Sequence, residues 1–183
     1  MVILKKKTFG YSERNKKQRE NFLKELESIN PGDVVYLDEF GMDDNDVKSR
    51  GWAKKGKRLH AIKKSQRAIR ISVIGSLNLK KLIAPFLFEG YCTRDVFEVY
   101  LKKTLIPQLR AGQVLIIDNA AFHKGGKIKQ LIESVGCRLL YLPTYSPDLN
   151  PIEKYWFVIK NKIRKLLENS NIYDAAISVL GDA

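Results

Sequence analysis

Apolar and polar positions divide the chain into strand-like and helix-like pieces. After the break at Pro31-Gly32, Asp33-Val-Val-Tyr-Leu-Asp38 reads as a strand that ends at a carboxylate, followed by a polar loop over residues 41–57. Residues 68–75 alternate as a strand with one solvated face and residues 82–88 form a second strand, a hairpin with Asn78 in its turn. Val114-Leu-Ile-Ile117 is wholly apolar, as a central strand buried on both faces is, and Asp118 terminates it. Residues 138–142 give one more strand.

Between these runs the period changes to that of a helix. Phe22, Leu23, Leu26 and Ile29 recur at helical spacing, and Val96, Phe97, Tyr100, Leu101, Leu105 and Ile106 do so behind Thr93, a natural N-cap. A further helix spans residues 127–135, stopping at Gly136. Ile152, Trp156, Ile159, Ile163 and Leu166 form the buried stripe of a long last helix. Asn150 fits its N-cap, Pro151 its first position and Glu153 its third, close to a capping box. The tail after Asn171 is weakly patterned and is expected to fray. Strand, hairpin, helix, strand, helix, strand, helix predicts an α/β domain with a mixed sheet.

A length of 183 residues with 44% hydrophobic and 29% charged residues is that of one ordinary globular domain. The organisation expected is a basic linker and helix over residues 1–29, a core over 30–170 and a tail over 171–183. No repeat or low-complexity segment interrupts it. Thirty-three Lys and Arg against 20 Asp and Glu give a net charge of +13, which favours a polyanionic partner. No apolar run reaches the roughly 18 residues of a membrane span, and the first residues are too polar for a signal peptide, so a cytoplasmic protein is expected. Two cysteines, Cys92 and Cys137, and two separated histidines, His60 and His123, offer neither a disulfide framework nor a zinc site. Both thiols are expected to be buried and reduced.

The carboxylates carry the chemistry. Asp38 and Asp118 each follow an apolar strand, where open α/β sheets present ligand-binding groups. Either aspartate alone is equally well a turn residue, and Glu153 alone is well explained as a capping residue. If the three converge, like charges about 4 Å apart repel by roughly 4 kcal/mol at an effective dielectric near 20, so they require cations. Oxygen-only ligation suits Mg2+ or Mn2+, and two such ions can drive an in-line phosphoryl displacement.

Four segments carry a family resemblance: Val35-Tyr-Leu-Asp38-Glu39; Gly51-Trp52-Ala53; Ile117-Asp118-Asn119-Ala120-Ala121-Phe122-His123; and Leu142-Pro143-Thr144-Tyr145-Ser146-Pro147-Asp148-Leu149-Asn150-Pro151-Ile152-Glu153. They resemble the DDE transposases of the Tc/mariner superfamily, particularly the bacterial insertion-sequence branch, over about residues 5–170. Thirty-four residues, 119–152, separate Asp118 from Glu153, which matches that family's spacing. The resemblance implies an RNase H-like, retroviral-integrase-like fold with Asp38, Asp118 and Glu153 as catalytic ligands of divalent metal. It further implies cleavage at transposon ends, joining of the freed 3′-hydroxyl to target DNA, and a homodimeric active complex. The family's N-terminal helix-turn-helix region is expected to be absent, since Met1 falls in what resembles the linker.

Around this centre, Asn119 and His123 are candidates to orient a metal-bound water or contact a phosphate, although a loop histidine satisfied by a backbone carbonyl is the simpler reading of His123. Gly51-Trp-Ala-Lys-Lys-Gly56-Lys57 imitates a phosphate-binding loop, but Arg58 replaces the required hydroxyl residue and no apolar strand precedes it, so no nucleotide cofactor is expected. Lys54, Lys55, Lys57, Arg58, Lys63, Lys64 and Arg67 are instead candidates for a DNA backbone path, with Lys124, Lys127 and Lys154 nearer the acidic residues. Trp52 fits either stacking on DNA or anchoring its loop, and the basic flank of the last helix, Lys160, Lys162, Arg164 and Lys165, fits DNA or solvent equally. Two other functions suit the same residues: an RNase H-like nuclease that never joins ends, and a catalytically silent, dimerising regulator.

Overall fold

In the computed structural model, residues 14–46, 54–58, 60, 69–120, 123–124 and 126–182 are described. Gly51, Trp52, Ala53, Lys63, Lys64 and Arg67 lie outside them. Helix α1 (Lys16–Glu27), capped by the Asn15 side chain, leads through a short turn into strand β1 (Val34–Asp43). Strands β2 (Arg70–Asn78) and β3 (Lys81–Glu89) follow, then helix α2 (Arg94–Tyr100), strand β4 (Val114–Ile117), helix α3 (Gly126–Glu133) and strand β5 (Arg138–Tyr141). Helices α4 (Ile152–Leu166) and α5 (Ile172–Gly181) complete the chain. The five strands form one sheet in the order β3-β2-β1-β4-β5, with β1, β2 and β3 antiparallel and β4 and β5 parallel to β1.

The α/β plan and mixed sheet are those the hydrophobic pattern predicts, and several boundaries differ for identifiable reasons. Strand β1 does not stop at Asp38: backbone pairing with β2 carries it to Asp43, through residues assigned above to a polar loop. Asn78 is the last residue of β2, not part of the turn; its Nδ2 donates to the carbonyls of Gly32 and Val34 at 2.9 and 2.8 Å, and Leu79, at φ 53°, opens the actual turn. Strand β2 has no solvated face, because helices cover both sides of the sheet and Ile71 through Leu77 are buried. Thr93 does cap α2, which continues through a π-helical turn over Leu101–Leu105. The tail does not fray: Asn171 caps α5, whose Ile172, Ala175, Ala176 and Val179 are buried against α4 and the sheet. Cys137 is buried, whereas Cys92 is only partly so.

Alternation along β1 decides which core each side chain joins. Phe40 and Met42 point to the α4–α5 side, together with Ile71, Val73 and Leu77 of β2 and with Ile152, Trp156, Ile159 and Ile163. Val35 and Leu37 point to the other side, against Phe97, Tyr100, Leu101, Ile128 and Ile132. Asp38 therefore shares the α4 face, and Glu39 faces α2 and α3. Parallel pairing of Val34 with Val114, Val35 with Leu115 and Tyr36 with Ile116 brings Asp38 level with Asp118, where β4 has ended but β1 continues. Among the described residues no helix is long and apolar enough to cross a membrane.

Candidate active site

Asp38, Asp118 and Glu153 line one open cavity of about 520 Å3 with Asn119, Ala120, Asn150 and the segment from Leu142 to Pro147. Register places the two aspartates side by side; the third carboxyl arrives by packing. Trp156 is buried against the Gly75 backbone and against Phe40 at 4.9 Å between ring centroids, which seats the start of α4 beside β1 and brings Glu153, one turn earlier, to the cavity.

Like charges and burial set the electrostatics. Burial and the Glu153 carboxylate push Asp38 up to about 7, against the lowering effect of the Glu39 backbone N–H that donates to its Oδ1 at 2.9 Å. Glu39 is pushed up to about 8 by burial and by the charges of Asp38 and Asp118. Burial works in the same direction on Asp118, but hydrogen bonding and charge from His123, with the Ala120 N–H, bring it below the usual carboxylate value.

As they stand, among the described residues, no three histidine, cysteine or acidic side chains are arranged to hold a metal ion. The donor set nevertheless fits a hard divalent cation: it is all oxygen, it brings three carboxyl groups to one open cavity, and the Glu153 and Asp118 charges add to burial in raising the proton affinity of Asp38. Glu153 is exposed and so retains the rotamer freedom to close on an ion.

Two residues belong to this site that sequence reasoning missed. Asn150 does not cap α4. Pro151 occupies that position without a side-chain hydrogen bond, and the buried Asn150 amide donates instead to Asp38 Oδ2 at 3.3 Å. Glu39 lies behind the sheet with Oε2 3.6 Å from His123 Nε2. His123 is not a loop histidine held by a carbonyl: its ring is buried between Glu39 and Asp118, with Nδ1 on Asp118 Oδ1. The signal for Glu39 was present in its alternation with Asp38; nothing local distinguished Asn150 from a cap.

The basic candidates separate into two groups. Lys54, Lys55, Lys57, Arg58, Lys124 and Lys154 are exposed. Lys127 is paired with the buried Glu98, Arg164 with Asp46 at 2.8 Å, and Lys160 lies over the Phe40 ring at 5.1 Å, so these charges already have internal partners.

A sequence model of the DDE superfamily endonucleases matches residues 33–173. No curated protein matches the chain. Among solved structures, the Mos1 strand transfer complex aligns with a TM-score of 0.64 at 15% identity, over 97% of this chain and 62% of that one. The catalytic domain of Mos1 mariner transposase aligns with a TM-score of 0.57 at 16% identity, over 96% of this chain and 84% of that one. A chain of the simian T-cell lymphotropic virus intasome aligns with a TM-score of 0.55 at 12% identity, over 84% of this chain and 48% of that one. This chain thus spans less than two thirds of the first of these, and the likenesses show the RNase H-like fold.

Proposed function

The chain belongs to the DDE superfamily of endonucleases, and from that premise we propose that it is the catalytic domain of a transposase that cuts transposon ends and joins them to target DNA. The observation that carries this reading is the shared face: Asp38 and Asp118 are level on adjacent parallel strands, and Glu153 opens onto the same cavity. A cavity open to solvent beside exposed lysines admits a phosphodiester backbone, which an enclosed pocket would not. Structures of Mos1 paired-end complexes with Mn and with Mg share the fold, which supports the same cations for this chain.

In this assignment Asp38, Asp118 and Glu153 hold two divalent ions. When bound, such ions activate a water or 3′-hydroxyl and stabilise the leaving oxygen of an in-line displacement. The protein's own part is positional. Asn150 holds Asp38 Oδ2, the Glu39 N–H holds its Oδ1, and the Ala120 N–H with His123 holds Asp118. Asn119, on the cavity wall, is placed to orient a water or phosphate. The DNA path runs over Lys54, Lys55, Lys57, Arg58, Lys124 and Lys154, and the active complex is a homodimer formed on paired ends, acting in the cytoplasm of a bacterial-type cell.

Asp38→Asn, Asp118→Asn and Glu153→Gln are each expected to abolish Mg2+- or Mn2+-dependent nicking and joining while circular dichroism stays unchanged. Full activity in any of these folded variants removes that residue from the centre. Joining of pre-cut ends to a plasmid separates a transposase from a nuclease that only cuts.

A further inference from the structure

Asp118 stands one residue beyond the last paired position of β4, so no strand hydrogen bonding fixes its backbone. A carboxylate at a loose strand end rotates freely about χ1 and χ2, yet a shared metal site requires one orientation. Something behind Asp118 must supply it. Two polar side chains lie there, the buried His123 and the partly buried Glu39, and neither lines the cavity.

His123 is 1% exposed. A carboxylate can only accept, so the His123 Nδ1–H donates to Asp118 Oδ1, which also receives the Ala120 N–H at 3.1 Å. Oδ1 therefore carries both hydrogen bonds, and Oδ2 is the oxygen left for the cavity. With its proton on Nδ1, the ring turns Nε2 toward Glu39, whose Oε2 is 3.6 Å away and accepts no hydrogen bond among the described residues. Phe97 packs on the imidazole face at 4.3 Å between centroids, and the Tyr141 hydroxyl donates to the His123 carbonyl at 3.1 Å. The ring is thus fixed on its face by an aromatic, at its backbone by a tyrosine and at one edge by the Asp118 carboxylate, while the Glu39 carboxyl of β1 faces the other edge at 3.6 Å without a hydrogen bond.

We propose that Glu39 and His123 are positioning residues for Asp118: a carboxyl–imidazole–carboxylate line, running through the sheet from its α2–α3 side, that sets which Asp118 oxygen meets the metal. Outer partners of this kind orient a ligand without touching the reacting atoms. Glu39 acts only through His123. The adjacent residues Asp38 and Glu39 accordingly divide the work between the two faces of β1, one toward the cavity and one toward the support of its partner aspartate. This inference rests on the reading of Asp118 as a metal ligand.

Mn2+ titration of the full chain by calorimetry tests it without any DNA reaction. His123→Phe keeps a ring against Phe97 but removes both nitrogens, and is expected to weaken Mn2+ binding roughly 10–100-fold. His123→Asn, whose amide nitrogen falls near the Nδ1 position, is expected to recover most of that loss. Glu39→Leu is expected to weaken Mn2+ binding while unfolding stability holds or rises, because an apolar group replaces a partly buried acid whose Oε2 accepts no hydrogen bond among the described residues. The double variant Glu39→Leu/His123→Phe should bind no more weakly than His123→Phe alone, as members of one line are not additive. Wild-type Mn2+ affinity in folded His123→Phe or in Glu39→Leu, or additive losses in the double variant, overturns the proposal. Should His123→Phe not fold, Glu39→Leu with its opposite signs in stability and affinity decides alone. If the wild type takes up no Mn2+, or Asp118→Asn takes it up normally, the ligand assignment of Asp118 fails and this inference with it; loss in Asp118→Asn without loss in the other variants fails this inference only.

Discussion

The indole of Trp156 lies on the bare backbone of Gly75, the residue paired across β1 and β2 with Asp38. A Cβ at position 75 would stand 2.8 Å from Trp156 Cη2, closer than packed carbons approach, and the ring is buried against Phe40 with no room to yield. Gly75→Ala is therefore expected to destabilise the fold by about 1–3 kcal/mol through overpacking. It should also lower cleavage at temperatures where the variant stays folded, because relief requires α4, and Glu153 with it, to move off the sheet. Urea unfolding and a nicking rate measure the two effects, and wild-type stability in Gly75→Ala would show that the contact does not seat α4.

The raised proton affinities of Asp38, at about 7, and Glu39, at about 8, make two signs predictable. The unfolded chain releases these protons near the ordinary carboxylate range, whereas the folded, metal-free chain retains them. Stability of the metal-free protein should thus fall as pH rises from about 4 to about 8, since the folded state holds the extra protons throughout that window. Cation binding must displace the Asp38 proton, so Mn2+ uptake near pH 6 should release about one proton and near pH 8.5 almost none. Calorimetry in buffers of different ionisation heat counts them. An equal count at both pH values would place Asp38 outside the metal shell.

Much of this site was legible in the sequence because the pattern and the chemistry coincide. Val114–Ile117 has the wholly apolar pattern of a central strand, which puts Asp118 at its end, and the Trp156 stripe brings the start of α4 to the sheet. What could not be read were features set by partners distant in the chain. Gly41 to Asp43 look like loop until β2 pairs with them, and Asn150 looks like a cap until Asp38 is placed beside it. His123 is undistinguished in its own segment; only the parallel alignment of β1 and β4 puts Glu39 and Asp118 on either side of it. Local periodicity reports which face a residue takes, and register reports whom it meets.

The loop before α4 is held from outside the core. Arg14 donates to the Tyr145 carbonyl at 2.8 Å and to Asp148 at 2.9 Å, and Arg19 on α1 grips the same carboxylate with both terminal nitrogens. The Arg19 hydrogen bonds first, then the charges of Arg19 and Arg14, keep Asp148 below the usual carboxylate range. Exposed pairs contribute at most about 1 kcal/mol to global stability, so Asp148→Ala should scarcely change the unfolding midpoint. Its effect is expected locally, as faster amide exchange in residues 144–149, of which 144–147 wall the cavity. Unchanged exchange there would mean that the arginines decorate the loop without holding it.

Exposed and internally paired lysines should differ in how they serve DNA. Lys54, Lys55 and Lys57 surround a tight turn, with Gly56 at φ 82° and the Lys57 N–H on the Lys54 carbonyl, and all three are exposed. If they neutralise phosphates, replacing each with Ala should lower the slope of log affinity against log salt by about 0.9 per contact, measured by fluorescence anisotropy on a duplex. Lys127 carries the same charge but pairs with Glu98, which is only 7% exposed. Lys127→Ala should leave the salt slope unchanged and instead cost about 1–3 kcal/mol in urea unfolding, because the buried carboxylate loses its cation. A slope that drops equally in all four variants would show that DNA draws Lys127 away from Glu98; a slope that drops in none would move the backbone path off this turn, toward Lys124 and Lys154.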